Sequence, residues 1–157
     1  MLKRIFYHLR PGGHAEFLEY AFEIVGADPA ADTLYQASSL AKFMRSAFAG
    51  GAAHGKDLHS GRKLREWMVD AEYVDVVEQQ FLVPLNEWPL DLMNKSLGGW
   101  SSLNWLKFLD GAKKLLAAGG VPLDETPGLL EEVRRDILNQ NMRVYWIMYS
   151  VYGRKPE

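Results

Sequence analysis

The chain has no cysteine among its 157 residues, so it forms no disulfide and offers no thiolate to a metal. It also has no run of the ~18 apolar residues that a membrane-spanning helix needs, and no signal-peptide pattern. A cytoplasmic, intracellular soluble protein is the expectation. Net charge is scarce: 18 Lys and Arg stand against 20 Asp and Glu, leaving −2, too little to draw the chain toward nucleic acid or an anionic membrane. The pairs Lys3-Arg4 and Arg62-Lys63 are too short for a nucleic-acid footprint. Only four histidines are present. His54 and His59 sit in one loop, His8 and His14 flank a turn, and no carboxylate recurs with them at ligand spacing, so no metal site is expected. No Ser, His and acid fall in a nucleophile motif, which leaves triad hydrolysis without support. Repeats and low-complexity tracts are missing too, and the Gly/Ala stretch 49–55 reads as a loop too short to separate domains.

What is present is globular. Apolar residues make up 48% and charged residues 24%, and a chain of this length can bury roughly two-thirds of its unfolded surface as one domain, 1–157. After the turn at Pro11-Gly12-Gly13, residues 14–25 read as a strand apolar on both faces, which belongs inside a covered sheet. Leu34, Ala37, Ala41, Met44 and Phe48 recur at helical spacing over 32–48, and the glycines that follow end that helix. Leu64, Trp67, Met68 and Ala71 repeat the pattern in a shorter one. A second strand over 73–81 stops at Pro84. Trp105, Leu109, Ala112 and Leu116 predict a helix over 100–118, with Ser101 or Ser102 as N-cap and Gly119-Gly120 as its stop. Thr126-Pro127 opens a helix burying Leu130, Val133 and Ile137, and 143–152 is the third and most aromatic strand.

With these elements placed, four strings carry a resemblance. Leu9-Arg10-Pro11-Gly12-Gly13-His14-Ala15-Glu16 resembles the "L-x-P-G-G-x-x-E" step into the fifth strand of class I S-adenosylmethionine-dependent methyltransferases. Arg62-Lys63-Leu64 through Ala71-Glu72-Tyr73-Val74-Asp75-Val76 is similar to the helix entering their sixth strand, with Glu72-Tyr73 where Gly-Phe is usual. Pro84-Leu85-Asn86-Glu87-Trp88-Pro89-Leu90-Asp91, then Leu97-Gly98-Gly99-Trp100, resembles the insertion of a fungal methyltransferase-like family that includes velvet-associated regulators of secondary metabolism. Arg134 to Asn139, followed by Tyr145 and Tyr152-Gly153-Arg154-Lys155-Pro156, resembles that family's closing helix and seventh strand.

The resemblance implies an α/β fold equal to the carboxyl-terminal half of a class I methyltransferase domain: a three-stranded mixed sheet in the order five, seven, six, helices on both faces, and a helical cap over about 85–141. The cofactor-binding strands one to four have no counterpart here, so no cofactor is expected. Pro11-Gly12-Gly13 lacks the strand-before, helix-after context of a nucleotide loop and reads as a structural turn. Losing the fourth strand would bare the edge of strand 14–25, and a long apolar edge is paired or covered. The expected repair is a homodimer with a continuous six-stranded sheet; the alternative partner is an intact methyltransferase.

Ligands of open α/β sheets bind beyond the carboxyl ends of the strands. The resemblance assigns that region Glu19, Tyr20 and Phe22, Arg143 and Tyr145, and Trp88, Trp100 and Trp105, an aromatic pocket suited to an apolar small molecule. Catalytic candidates are Glu19, Tyr145 and Arg143; substrate-binding candidates are Tyr20, Phe22, Trp88, Trp100 and Trp105. Each also has a structural reading: the tryptophans as core, Glu19 as an ion-pair partner of Arg143 or another cation, Tyr145 as packing. Glu19 among apolar neighbours could equally exchange a proton, and Arg143 could stabilise charge on oxygen. Three functions follow: a cofactor-free cyclase or isomerase of small-molecule biosynthesis, a regulatory subunit of an intact methyltransferase, or an inactive remnant.

Overall fold

A computed structural model describes all residues, 1–157. In chain order they form α1 (Leu2–His8), β1 (His14–Gly26), α2 (Pro29–Gln36), α3 (Ser39–Ala53), a 3-10 turn (Ser60–Lys63), α4 (Leu64–Asp70), β2 (Val74–Pro84), α5 (Leu92–Gly111), α6 (Lys113–Ala118), α7 (Thr126–Leu138) and β3 (Val144–Arg154). The sheet order is β1-β3-β2. The end of β1 meets the start of β3, where Ala27 N donates to Arg143 O, and the start of β1 meets the end of β3, where Gly12 N donates to Lys155 O. β2 does likewise: Leu85 N donates to Val144 O, while Arg154 pairs with Asp75 at 2.8 Å. Each adjacent pair is therefore antiparallel, and the mixed sheet expected from sequence is corrected on this point: β1 and β2 run parallel but are not neighbours. No helix is long and apolar enough to cross a membrane.

The chain divides into two compact units whose boundary cuts all three strands. The first comprises Met1–Glu23, His59–Leu82 and Ile147–Glu157; the second comprises Ile24–Leu58 and Val83–Trp146. In the first, Ala21, Leu64, Met68, Ala71, Tyr73, Tyr149 and Val151 form the core, with Leu2, Phe6, Leu9 and Phe17 packed against it. The Tyr73 ring takes Phe6 edge-on at 4.9 Å. Lys155 closes α1: its ammonium donates to Leu9 O at 2.9 Å and lies 5.1 Å from the Phe6 ring centre, where a cation favours a helix carboxyl end.

In the second unit Leu40, Phe43, Leu109, Leu116, Val133, Ile137 and Val144 are buried. Here three sequence expectations fail. The helix expected over 32–48 is two, because the Ser38 hydroxyl donates to Tyr35 O at 2.6 Å and also accepts from Ala41 N, ending α2 and capping α3. The loop expected over 49–55 is mostly helical, since α3 runs through Gly50 and Gly51. The helix expected from residue 100 starts at Leu92, with Asp91 accepting from Asn94 N at 2.9 Å; that contact lowers the Asp91 carboxyl from its ordinary value. Ser102 is interior and donates to Gly99 O.

Burial pushes the Tyr35 phenol up to about 12, with Asp32 adding to the shift and Arg45 opposing it. A phenol whose folded value lies above its unfolded one contributes stability that is full below pH ~10 and lost as pH rises toward ~12. Urea unfolding across that window should show the wild type losing about 2 kcal/mol more than the Tyr35→Phe variant, on the order of two pH units of displaced titration. Parallel losses in both proteins would remove Tyr35 from the alkaline transition.

Candidate functional site

In the first unit Gly61 sets the geometry. Its missing side chain lets the 3-10 turn lie on the β1 backbone, because a Cβ there would sit 3.3 Å from Ala21 N and 3.0 Å from the Tyr149 ring. That close approach carries Ser60 and Leu64 beside Glu19. Together with Met1, Leu2, Lys3, Trp67, Asp70 and Ala71 they line a cavity of about 550 Å³. Its volume lies within the ~300–1,000 Å³ of small-molecule sites, and its walls are largely apolar with a few polar groups. Glu19 is half-buried, and one of its carboxylate oxygens accepts from Tyr20 N at 3.2 Å.

Four residues further along β1, Glu23 gathers an imidazole and a guanidinium. Its carboxylate accepts from His59 Nδ1 at 2.9 Å and pairs with the Arg62 guanidinium. The pairing with Glu23 raises Arg62 from its ordinary value, with smaller contributions from Tyr149. A carboxylate on Nδ1 fixes the imidazole tautomer and ring orientation. Sequence reasoning considered His59 only as a metal ligand and passed over Glu23. The signal available was Glu23 itself, a third carboxylate in an apolar strand after Glu16 and Glu19.

Tyr20 and Phe22 also belong to the first unit, both half-buried. Phe22 has φ 49°, a left-handed conformation costing about 1–2 kcal/mol for a residue with a side chain. It interrupts the strand's alternation: the buried residues on either side, Ala21 and Ile24, are three apart.

The other candidates lie in the second unit. Arg143 is exposed and pairs with Asp28 at 2.7 Å. Tyr145 takes Trp88 edge-on at 5.1 Å, and the Trp88 indole donates to Val144 O. Trp105 is 2% exposed and packs on Trp146 at 5.2 Å, which favours its core reading. Trp100 is 72% exposed on α5, along with Leu92, Met93 and Leu103.

The glycine turn is not a place for adenosylmethionine. Gly12 has φ 73°, its amide donates to Lys155 O, and Gly13 O accepts from Lys155 N. The polar backbone is spent on β3, so the turn does not fit the cofactor. No group of three or more His, Asp or Glu side chains is placed to hold a metal ion.

No protein-family model matches the chain. Among curated proteins it is similar to the probable methyltransferase tdiE of Emericella nidulans, 27% identical over 99% of this chain and 49% of that protein. It is also similar to the methyltransferase pytC of Aspergillus terreus, 23% identical over 99% of this chain and 48% of that one. The protein-methionine methyltransferase laeA of Emericella nidulans is 26% identical over 99% of this chain and 41% of its own length. The chain spans about half the length of the curated relatives it matches. Along nearly all of its own length, then, it resembles fungal methyltransferases and the laeA type of secondary-metabolism regulator.

Proposed function

We propose that the chain serves secondary metabolism as a methyltransferase-derived enzyme that works without adenosylmethionine, a cyclase or isomerase of an apolar small molecule. In this reading β1, β3 and β2 correspond to strands five, seven and six of a class I methyltransferase, and α5 to α7 to its cap. One observation carries the reading: Glu19, a carboxylate in an apolar strand, lies on the wall of the 550 Å³ cavity. There it would take a proton from one carbon or oxygen of the substrate and return it to another, a step that needs no methyl donor. Arg143 and Tyr145 do not line this cavity, and Arg143 is engaged by Asp28, so the proton step is assigned to Glu19 alone.

The test compares metabolites from cells carrying wild type and Glu19→Gln. Loss of a product with the substitution is expected; an unchanged profile removes Glu19 from any mechanism. Titration with adenosylmethionine is expected to give no saturable heat, and a binding isotherm would return the chain to methyl transfer.

A regulatory subunit is the second reading, favoured by the regulator names among the relatives. Both readings place a partner on β1, an edge strand of 13 residues on which Leu18 is 62% exposed. Pairing with a second copy about a two-fold axis would satisfy that edge. Light scattering should give twice the 17.8 kDa of one chain, and Leu18→Lys should shift the population toward monomer. A wild-type monomer at the highest soluble concentration would overturn the dimer and leave an intact methyltransferase as the partner to test.

A further inference from the structure

α5 turns an apolar face to solvent. Its inner side, Gly98, Ser101, Ser102, Trp105 and Leu109, is buried. Its outer side carries Leu92, Met93, Leu97, Trp100 and Leu103, whose exposure runs from 41% at Leu97 to 85% at Leu92. The neutral Ser96 and Asn104 are exposed on the same side. At about 100° per residue Lys95 falls outside that arc, so from Leu92 to Asn104 the face carries no charge. The five apolar side chains present roughly 500–700 Å², at or above the ~300–600 Å² of the largest patch on a typical monomer.

The spacing of the face says what covers it. Met93, Ser96, Trp100 and Leu103 follow one another at three, four and three residues, the seam of a helix packed lengthwise on another. From this we infer that α5 of a second copy covers the face, antiparallel, about a two-fold axis level with Gly98. Such a contact places residue i on j and j on i, so Trp100 of each copy lies over Ser96 of the other, and Met93 over Leu103. The largest side chain of the seam thus meets the smallest. A parallel pair would set Trp100 on Trp100 and Ser96 on Ser96, crowding one layer and emptying the next. With no charge on the face, the two-fold brings no like charges together. Two such faces hide at least the ~1,000 Å² a specific interface needs, at the low end of the range, so the pairing depends on concentration. Trp100, expected from sequence to wall a ligand pocket, does not line the Glu19 cavity and is instead the anchor of this interface.

The test uses the full chain, which has no cysteine of its own. In the double variant Met93→Cys with Leu103→Cys, mild oxidation should join two chains, because each introduced thiol faces the other kind across the axis. Within one helix the two positions are about 15 Å apart, and in the pair each is about as far from its own copy, too far for a disulfide. Neither single variant should therefore cross-link. Adding Trp100→Glu should cut the cross-linked fraction about tenfold or more. In the Leu18→Lys chain, where β1 pairing is blocked, light scattering at rising concentration should climb from 17.8 kDa toward twice that, and Trp100→Glu should hold it at one chain. All these positions are exposed, so the substitutions keep the fold, which circular dichroism checks.

No cross-link in the double variant, equal cross-linking of a single variant, or a Leu18→Lys chain that stays monomeric at every soluble concentration overturns the α5 pairing. The β1 dimer fails separately: Leu18→Lys leaves the α5 cross-link in place and lowers the mass only if β1 pairs.

Discussion

Replacing Gly50 with alanine should cost the fold about 3 kcal/mol or more, among the largest effects of any single methyl in this chain. α3 and α6 cross backbone to backbone. A Cβ on Gly50 would lie far inside van der Waals contact of Leu115 O and 3.1 Å from Gly119 N, and one on Gly119 would intrude equally on Ser46 O, 3.1 Å from Gly50 N. These obstacles are main-chain atoms within helices, which cannot rotate away as a side-chain tip does. Relief requires separating the two helices and opening the layer around buried Ala47 and Leu116. For a domain of this size the melting temperature should fall by on the order of 10 °C. Gly128→Ala supplies the contrast. It lies in the first turn of α7 with nothing within 4 Å of its would-be Cβ, so it should stabilise by about 0.5–1 kcal/mol through the unfolded state. Thermal scans showing the same sign for both variants would refute the backbone-crossing account.

The same glycines show where the sequence could be read and where it could not. Residues 14–25 and 144–152 were legible as strands because their aromatic and β-branched content serves a pleated surface wherever it folds. Gly50-Gly51 read as a helix stop because the usual cost of glycine in a helix argues that way. What reverses it is Leu115, 65 positions away, and no local window contains that contact. Helix starts were misjudged for a related reason. Ser38 and Asp91 cap through their side chains, but Ser38 sits inside an unbroken apolar spacing, Ser101 and Ser102 offered rival caps to Asp91, and the exposed Leu92 and Met93 carry no burial signal. Glu19 was legible as a carboxylate among apolar neighbours, and it lines the cavity. The partnership of Glu23 with His59 was not, since it joins a strand to a loop 36 residues on. The pairing of Arg143 with Asp28 was equally hidden, which is why Glu19 stood as a sequence-level candidate for that arginine.

Asn86→Ala should be about as damaging as the glycine change, through lost hydrogen bonds and not through a clash. Asn86 is 3% exposed. Its amide donates to Ile137 O at 2.8 Å and Asn139 O at 3.0 Å, and its oxygen accepts from Trp88 N at 3.0 Å. One side chain thus closes the carboxyl end of α7, where two carbonyls have no helical partner, and fixes the turn leaving β2. Gly98 of α5 is pressed on the Asn86 carbonyl, leaving no space for a Cβ. Truncation leaves one donor and two acceptors without partners, each worth about 1 kcal/mol or more when buried, so a loss of roughly 3 kcal/mol is expected in urea unfolding. It should also free the Trp88 ring from Tyr145, 5.1 Å away. Asn86→Asp separates polarity from volume, because the shape is kept while two donors become acceptors facing carbonyl oxygens. That variant should be at least as unstable as Asn86→Ala at pH 7. Its buried carboxyl, raised in the folded state by desolvation and by those carbonyls, should regain stability as pH falls and a proton restores one donor. Asn86→Ala gains nothing by the same acidification beyond what the wild type shows. Equal pH dependence of the two variants would mean that Asn86 fills space and does not hold the turn through its amide.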